Sequence, residues 1–132
     1  MLIVDDTSFM RTLVRRAIEP LQFSKVLEGS DGNELLQIYE IERPDLVFSD
    51  IIMENRDGIS AVRALLKRHA EARVVIVSAI NVPALIQEAI DLGVIDFVVK
   101  PFQPQTLVNA AIMALATNTR LPLQKSGGIP EQ

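Results

Sequence analysis

Five short apolar runs, each ending in polar residues and followed by a segment of helical spacing, constrain this chain more than any other feature. They are Met1-Leu2-Ile3-Val4, Lys25-Val26-Leu27-Glu28, Asp45-Leu46-Val47-Phe48-Ser49, Arg73-Val74-Val75-Ile76-Val77-Ser78 and Ile95-Asp96-Phe97-Val98-Val99. Runs of this length bounded by turn residues read as buried strands. The fourth is almost wholly β-branched, the strongest strand signal in the chain. The first is very short, as though a residue or two were wanting at its start. Each falls far below the ~20 residues needed to span a bilayer.

The intervening segments read as helices. Thr7-Ser8 offers an N-cap, and Phe9, Leu13, Ala17 and Ile18 then recur at helical spacing up to Pro20. A second helix is expected over 33–42, with Leu35, Leu36, Ile38 and Tyr39 apolar, and Arg43-Pro44 stops it. Gly58 opens a third, with Ile59, Val62, Leu65 and Leu66 on one face and Arg63, Lys67 and Arg68 on the other. Pro83 starts a fourth, which Gly93 ends from the C′ position. Pro104 starts a fifth, running to about Thr117. Strands alternating with helices predict an α/β domain with a parallel sheet covered on both faces. At 132 residues one domain is expected, over 1–118. Residues 119–132 contain Pro122, Gly127-Gly128 and Pro130 and read as a poorly ordered tail or the start of a linker.

The inventory excludes several chemistries. There is no cysteine, hence neither a disulfide frame nor a thiolate metal site. A net charge of −4 without a basic run argues against direct nucleic-acid binding. The single histidine, His69, leaves little room for a Ser-His-Asp triad, and it reads as a solvated or helix-terminal residue. No signal peptide or membrane span is legible, so a cytoplasmic protein without membrane contact is expected.

In an open parallel sheet, ligands bind outside the carboxyl ends of the strands. The expected ends carry Asp5-Asp6, Asp50, Ser78 and Lys100-Pro101. An aspartate at one strand end is ordinarily a turn or cap residue. Three carboxylates, a hydroxyl and an ammonium on one edge are not explained that way. Close carboxylates repel unless neutralised. A hard divalent cation such as Mg²⁺ suits them, since it takes a few carboxylates together with water and phosphate oxygens. With Lys100 and Ser78 to meet phosphate oxygens, this is a toolkit for phosphoryl transfer to a carboxylate.

These residues resemble the receiver domains of two-component response regulators, the single-domain chemotaxis type in size. The resemblance rests on Asp5-Asp6, on Asp50-Ile51-Ile52-Met53 followed by Asp57-Gly58, on Ser78-Ala79, and on Asp96-Phe97-Val98-Val99-Lys100-Pro101-Phe102. It implies a flavodoxin-like fold of strand order 2-1-3-4-5 with five helices. It implies Asp50 as phosphoacceptor for a sensor histidine kinase or phosphotransfer protein. Mg²⁺, with Mn²⁺ as substitute, would be held by Asp5, Asp6, Asp50 and the main-chain carbonyl of Ile52. Lys100, Ser78 and the main-chain N–H of Ala79 would bind the phosphoryl group. Ser78 and Phe97 would form the switch, and the Lys100-Pro101 peptide would be cis. Such a domain is a signalling module, not an enzyme acting on other substrates.

Glu54 stands where the family usually has proline, which removes a φ restraint beside the metal site and adds an anion. Apolar Ile52 and Ile80 flank the acceptor and the switch serine, which predicts a long-lived phosphoryl group. The last helix is apolar nearly all round. If Leu107, Ala111, Ala114 and Leu115 face the sheet, Val108, Ile112 and Ala116 face outward, beside Val82 and Ile86 of the preceding helix. That face would serve a downstream protein or a homodimer, unless Leu121 and Leu123 of the tail cover it. The fifth helix has no basic residue before Arg120, so a salt-bridged dimer is not expected. Arg15 or Arg16 on the first helix is a candidate contact for a kinase. Three other readings fit less well. A Mg²⁺-dependent aspartyl-phosphate phosphotransferase would want a second carboxylate at Ile52. A nucleotide-binding domain would want a glycine-rich first turn. A receiver-like interaction module that is never phosphorylated would lack some of these acidic or lysine positions.

Overall fold

The computed structural model describes residues 1–52 and 58–117. Glu54, Arg120, Leu121 and Leu123, and with them the expectations for the loop and the tail, lie outside the described residues. In chain order the elements are β1 (Leu2–Val4), α1 (Ser8–Ala17), β2 (Leu27–Gly29), α2 (Gly32–Glu42), β3 (Val47–Ser49), α3 (Gly58–Arg68), β4 (Val74–Ser78), α4 (Pro83–Leu92), β5 (Asp96–Val99) and α5 (Pro104–Ala116). The strands form one parallel sheet of order β2-β1-β3-β4-β5. The flavodoxin-like expectation is met, and every carboxyl end lies on one edge.

The near-continuous apolar strands follow from burial of both sheet faces. Side chains alternate across a strand. Leu2, Val4, Val47, Val74 and Ile76 therefore join one core layer with Leu35, Tyr39, Val62, Leu65 and Ala89 of α2, α3 and α4. Ile3, Phe48, Val75, Val77 and Val98 join the other with Val14, Ala17, Leu107, Ala110, Ala111 and Ala114 of α1 and α5. A shift of one residue in any strand would exchange these sets, so the register is held by both layers.

Local capping fixes where the helices begin. Thr7 Oγ1 accepts from Met10 N–H at 3.2 Å, and Asp31 Oδ1 accepts from Glu34 N–H at 2.9 Å. Glu34 in turn accepts from Ser30 N–H, so the α2 entry is held from both sides. Gly93 ends α4 at φ 110°, a left-handed conformation natural to glycine.

Several expectations are corrected. Phe9 is not part of the core stripe of α1: it is 69% exposed. Five residues turn a helix by about 500°, which sets Phe9 roughly 140° away from the buried Val14. Helix α1 ends at Ala17, ahead of Pro20 as expected, and Pro20 itself sits inside a 3-10 turn, Glu19–Leu21. On α5 the stripe is Leu107, Ala110, Ala111 and Ala114, while Leu115 is 37% exposed. The three alanines make a narrow contact, and Leu115 falls beyond its edge. His69 is helix-terminal, one of its two expected placements, but it is buried and not solvated. It follows α3 directly, where its ring lies 5.0 Å from that of Tyr39 and its Nε2 is 3.1 Å from Glu40 Oε1.

Candidate functional site

Parallel pairing brings the acidic residues together. Val4 pairs with Ser49 across β1 and β3, so the next residues, Asp5 and Asp50, leave the sheet side by side. Asp50 N–H donates to Val4 O at 2.9 Å and Asp5 N–H to Gly29 O at 3.1 Å, extending both ladders by one step. Asp5, Asp6 and Asp50 each offer a carboxylate oxygen, all within 4.8 Å of one another. Asp5 and Asp50 are buried and Asp6 is exposed.

Lys100 reaches the same point from the other side of the sheet. Ser78 pairs with Val99, and Lys100 N–H donates to Ser78 O at 2.9 Å. Its Nζ then bridges Asp5 Oδ2 at 2.7 Å and Asp50 Oδ2 at 2.9 Å. Burial opposes the ammonium, but hydrogen bonds to both carboxylates outweigh it and hold Lys100 above its ordinary range. The Lys100–Pro101 peptide is cis.

Both oxygens of Asp50 are held. Oδ2 accepts from Lys100, while Oδ1 accepts from Ile51 N–H at 2.7 Å and Ile52 N–H at 3.2 Å. Asp5 is held as firmly, its Oδ1 accepting from Thr7 N–H at 3.0 Å and Thr7 Oγ1 at 3.2 Å. One ammonium does not neutralise three carboxylates. Asp6 bears the excess: partial desolvation first, then the charge of Asp5 and a hydrogen bond with it, then Asp50, raise its pKa. A set of hard oxygen donors with surplus negative charge fits a divalent cation.

The remaining expected residues lie around this cluster. Ser78 is fully buried, and its Oγ accepts from Ile80 N–H at 3.2 Å, so it is turned back onto its own loop. Ala79 is exposed. Phe97 is half-buried against the core layer beneath α4, and Ile80 packs there too. Ile52 stands 57% exposed beside Asp50. Val82, the N-cap of α4, and Ile112 of α5 are exposed, while Ile86 and Val108 are half-buried.

Three features escaped the sequence reading. Gly58 meets the chain at Asp50 and Ile51 backbone to backbone: a Cβ there would lie 2.4 Å from Asp50 O and 2.5 Å from Ile51 Cα. The Asp-Gly pair was the only available signal, and it speaks for a turn, not for this contact. Arg11 donates through Nη1 to Asp5 O at 2.6 Å. An open groove of about 600 Å³, lined by Phe9, Leu13, Arg16, Lys100, Pro101 and Phe102, opens next to the cluster.

Comparison with known proteins bears on all of this. The family model for the response regulator receiver domain matches residues 1–112. A chemotaxis protein CheY of Thermotoga maritima is 38% identical over 109 residues, which cover 83% of this chain and 91% of the relative. Its counterpart in Listeria monocytogenes is 36% identical over 110 residues, covering 83% and 92%. Among solved structures, the receiver domain of NtrX from Brucella abortus superposes with a TM-score of 0.82 at 30% identity, covering 88% of this chain and 98% of that one. CheY in a CheX–CheY–BeF3–Mg²⁺ complex from Borrelia burgdorferi does so with a TM-score of 0.83 at 26% identity, covering 88% of each.

Proposed function

The chain belongs to the response regulator receiver domain family, and on that premise we propose that Asp50 is its phosphoacceptor. The observation that carries the assignment is the buried Asp50 carboxylate, oriented through both oxygens and set against Asp5, Asp6 and Lys100. The donor is a phosphohistidine of a sensor histidine kinase or phosphotransfer protein. A carboxylate oxygen of Asp50 attacks phosphorus, the P–N bond breaks, and its electron pair returns to the imidazole. Mg²⁺, or Mn²⁺ in its place, held by Asp5, Asp6, Asp50 and the Ile52 carbonyl, would neutralise the phosphoryl oxygens during transfer.

The chain's own residues complete the reaction. The Ile51 and Ile52 N–H groups keep the carboxylate aimed outward. Lys100 exchanges its contact with Asp50 Oδ2 for one with a phosphoryl oxygen. Ser78 turns from Ile80 N–H to donate to the same group, and the Ala79 N–H adds a second donor. Phe97 moves inward as Ser78 leaves, shifting the population of the α4-β5-α5 surface. Val82, Ile86, Val108 and Ile112 there are the contact set for a downstream protein or a second copy of this chain. The groove beside Lys100, with Arg16 at its rim, suits the kinase or phosphotransfer partner. Arg15 is less available, since it pairs with Glu28. Family membership disfavours an independent phosphotransferase. No helix among the described residues is long and apolar enough to cross a membrane, and such a partner implies a cytoplasmic setting.

The direct test is labelling by a small acyl-phosphate donor, which should require Mg²⁺ and stop when it is chelated. Metal affinity should also depend on pH with a definite sign. The raised pKa of Asp6 means that protons compete for it at higher pH than for an ordinary aspartate. Mg²⁺ affinity is therefore expected to fall as pH drops through that raised value, and to level off above it. Calorimetric titration at a series of pH values reads this; an affinity that rises on acidification would contradict it. A second expectation concerns lifetime. The apolar Ile52 offers an attacking water no hydrogen bond. The phosphoryl group should persist, and Ile52→Asn should shorten its half-life several-fold in a phosphate-release assay.

A further inference from the structure

We infer that Arg11 is a positioning residue for the acidic turn, holding the peptide between Asp5 and Asp6 at the angle that lets both carboxylates meet a divalent cation. This rests on the metal reading above. The main-chain oxygen that Arg11 grips, Asp5 O at 2.6 Å, belongs to that peptide. Its orientation sets ψ of Asp5 and φ of Asp6, and hence the direction of the Asp6 side chain. Every other part of Asp5 is held elsewhere: the N–H by Gly29, Oδ1 by Thr7 and Oδ2 by Lys100. Asp6 itself is exposed, so its placement depends on the peptide that precedes it.

Arg11 is itself anchored. Its Nε donates to Glu28 Oε1 at 2.8 Å, and the other oxygen of Glu28 accepts from Arg15 Nε at 3.0 Å and Nη2 at 2.8 Å. The first guanidinium bond, stronger than partial desolvation and reinforced by Arg15, lowers the pKa of Glu28, so the anchor stays charged. A guanidinium presents several N–H donors in a fixed fork and can join β2 to the turn. A lysine ammonium is a point charge and cannot reproduce that fork.

Charge and position make opposite predictions here. Arg11 is a cation near a cation site. By electrostatics alone its removal would strengthen Mg²⁺ binding. If it positions Asp6, removal weakens binding, by roughly tenfold if it resembles other residues that orient metal ligands. The experiment is calorimetric Mg²⁺ titration of the wild type, Arg11→Met, Arg11→Lys and Glu28→Gln, each also melted in chelator. We expect weaker binding in Arg11→Met, partial recovery in Arg11→Lys, and a smaller loss in Glu28→Gln. The Arg11→Met/Glu28→Gln double variant should lose no more than Arg11→Met alone. Unchanged or tighter binding by Arg11→Met, whatever its melting temperature, overturns the inference. Should Arg11→Met fail to fold, Arg11→Lys carries the test, because it keeps the charge and loses the fork, and wild-type affinity there overturns the inference as well. Absence of Mg²⁺ binding by the wild type would instead overturn the metal reading and the inference together.

Discussion

Asp50→Asn should abolish Mg²⁺-dependent labelling by an acyl phosphate, leaving the protein folded. The amide has the shape of the carboxylate and keeps an acceptor oxygen for the Ile51 and Ile52 N–H groups. It is a far poorer nucleophile and a poorer metal ligand, so covalent transfer has no route through it. The cost to the fold should be small. Lys100 retains Asp5 at 2.7 Å, and one of three mutually repelling carboxylates is gone. Intact-protein mass spectrometry after incubation with donor and Mg²⁺ reads the result, with a thermal melt as the folding control. Labelling that survives the substitution would place the acceptor elsewhere and sink the assignment.

Gly58→Ala should be the most damaging small substitution in the described chain. The added methyl would meet Asp50 O at 2.4 Å, Ile51 Cα at 2.5 Å and Ile51 C at 2.9 Å, all of them backbone atoms. No side chain can rotate away, so α3 or the acceptor loop must move. Gly58 N–H also donates to Ile51 O at 3.0 Å, so that movement strains a bond as well as a contact. Overpacking of this kind costs about 3 kcal/mol, which for a domain of this size lowers the melting temperature by roughly 10 °C. Because the displaced atoms include the Asp50 carbonyl, labelling should slow in the protein that remains folded. A melting temperature within a degree or two of wild type would show that the helix entry has slack.

Where the chain's pattern was periodic, it was readable. Val74-Val75-Ile76-Val77 had to be a strand buried on both faces, and Pro83 and Gly93 bracket α4 as their backbone preferences dictate. Asp5, Asp50 and Lys100 were legible together because a parallel sheet sends every strand end to one edge. Side-chain direction was harder to read. Phe9 obeys the apolar composition of a core stripe but not its angle, and Leu115 sits just outside a stripe narrowed by Ala110, Ala111 and Ala114. His69 looked solvated beside Arg68, yet the packing of α2 on α3 buries it against Tyr39. The contacts of Arg11 and Gly58 were invisible for another reason. Each acts on a main-chain atom and not on a side chain, and main-chain atoms leave no signature in residue type.

The two bonds of Lys100 span 95 and 50 residues of sequence. Asp50 is made directly after β3, whereas its ammonium partner is made only after β5. A nascent chain that has reached α4 therefore carries Asp5, Asp6 and Asp50 without the ammonium that offsets their repulsion. The charge of the cluster is offset only when β5 closes that edge of the sheet.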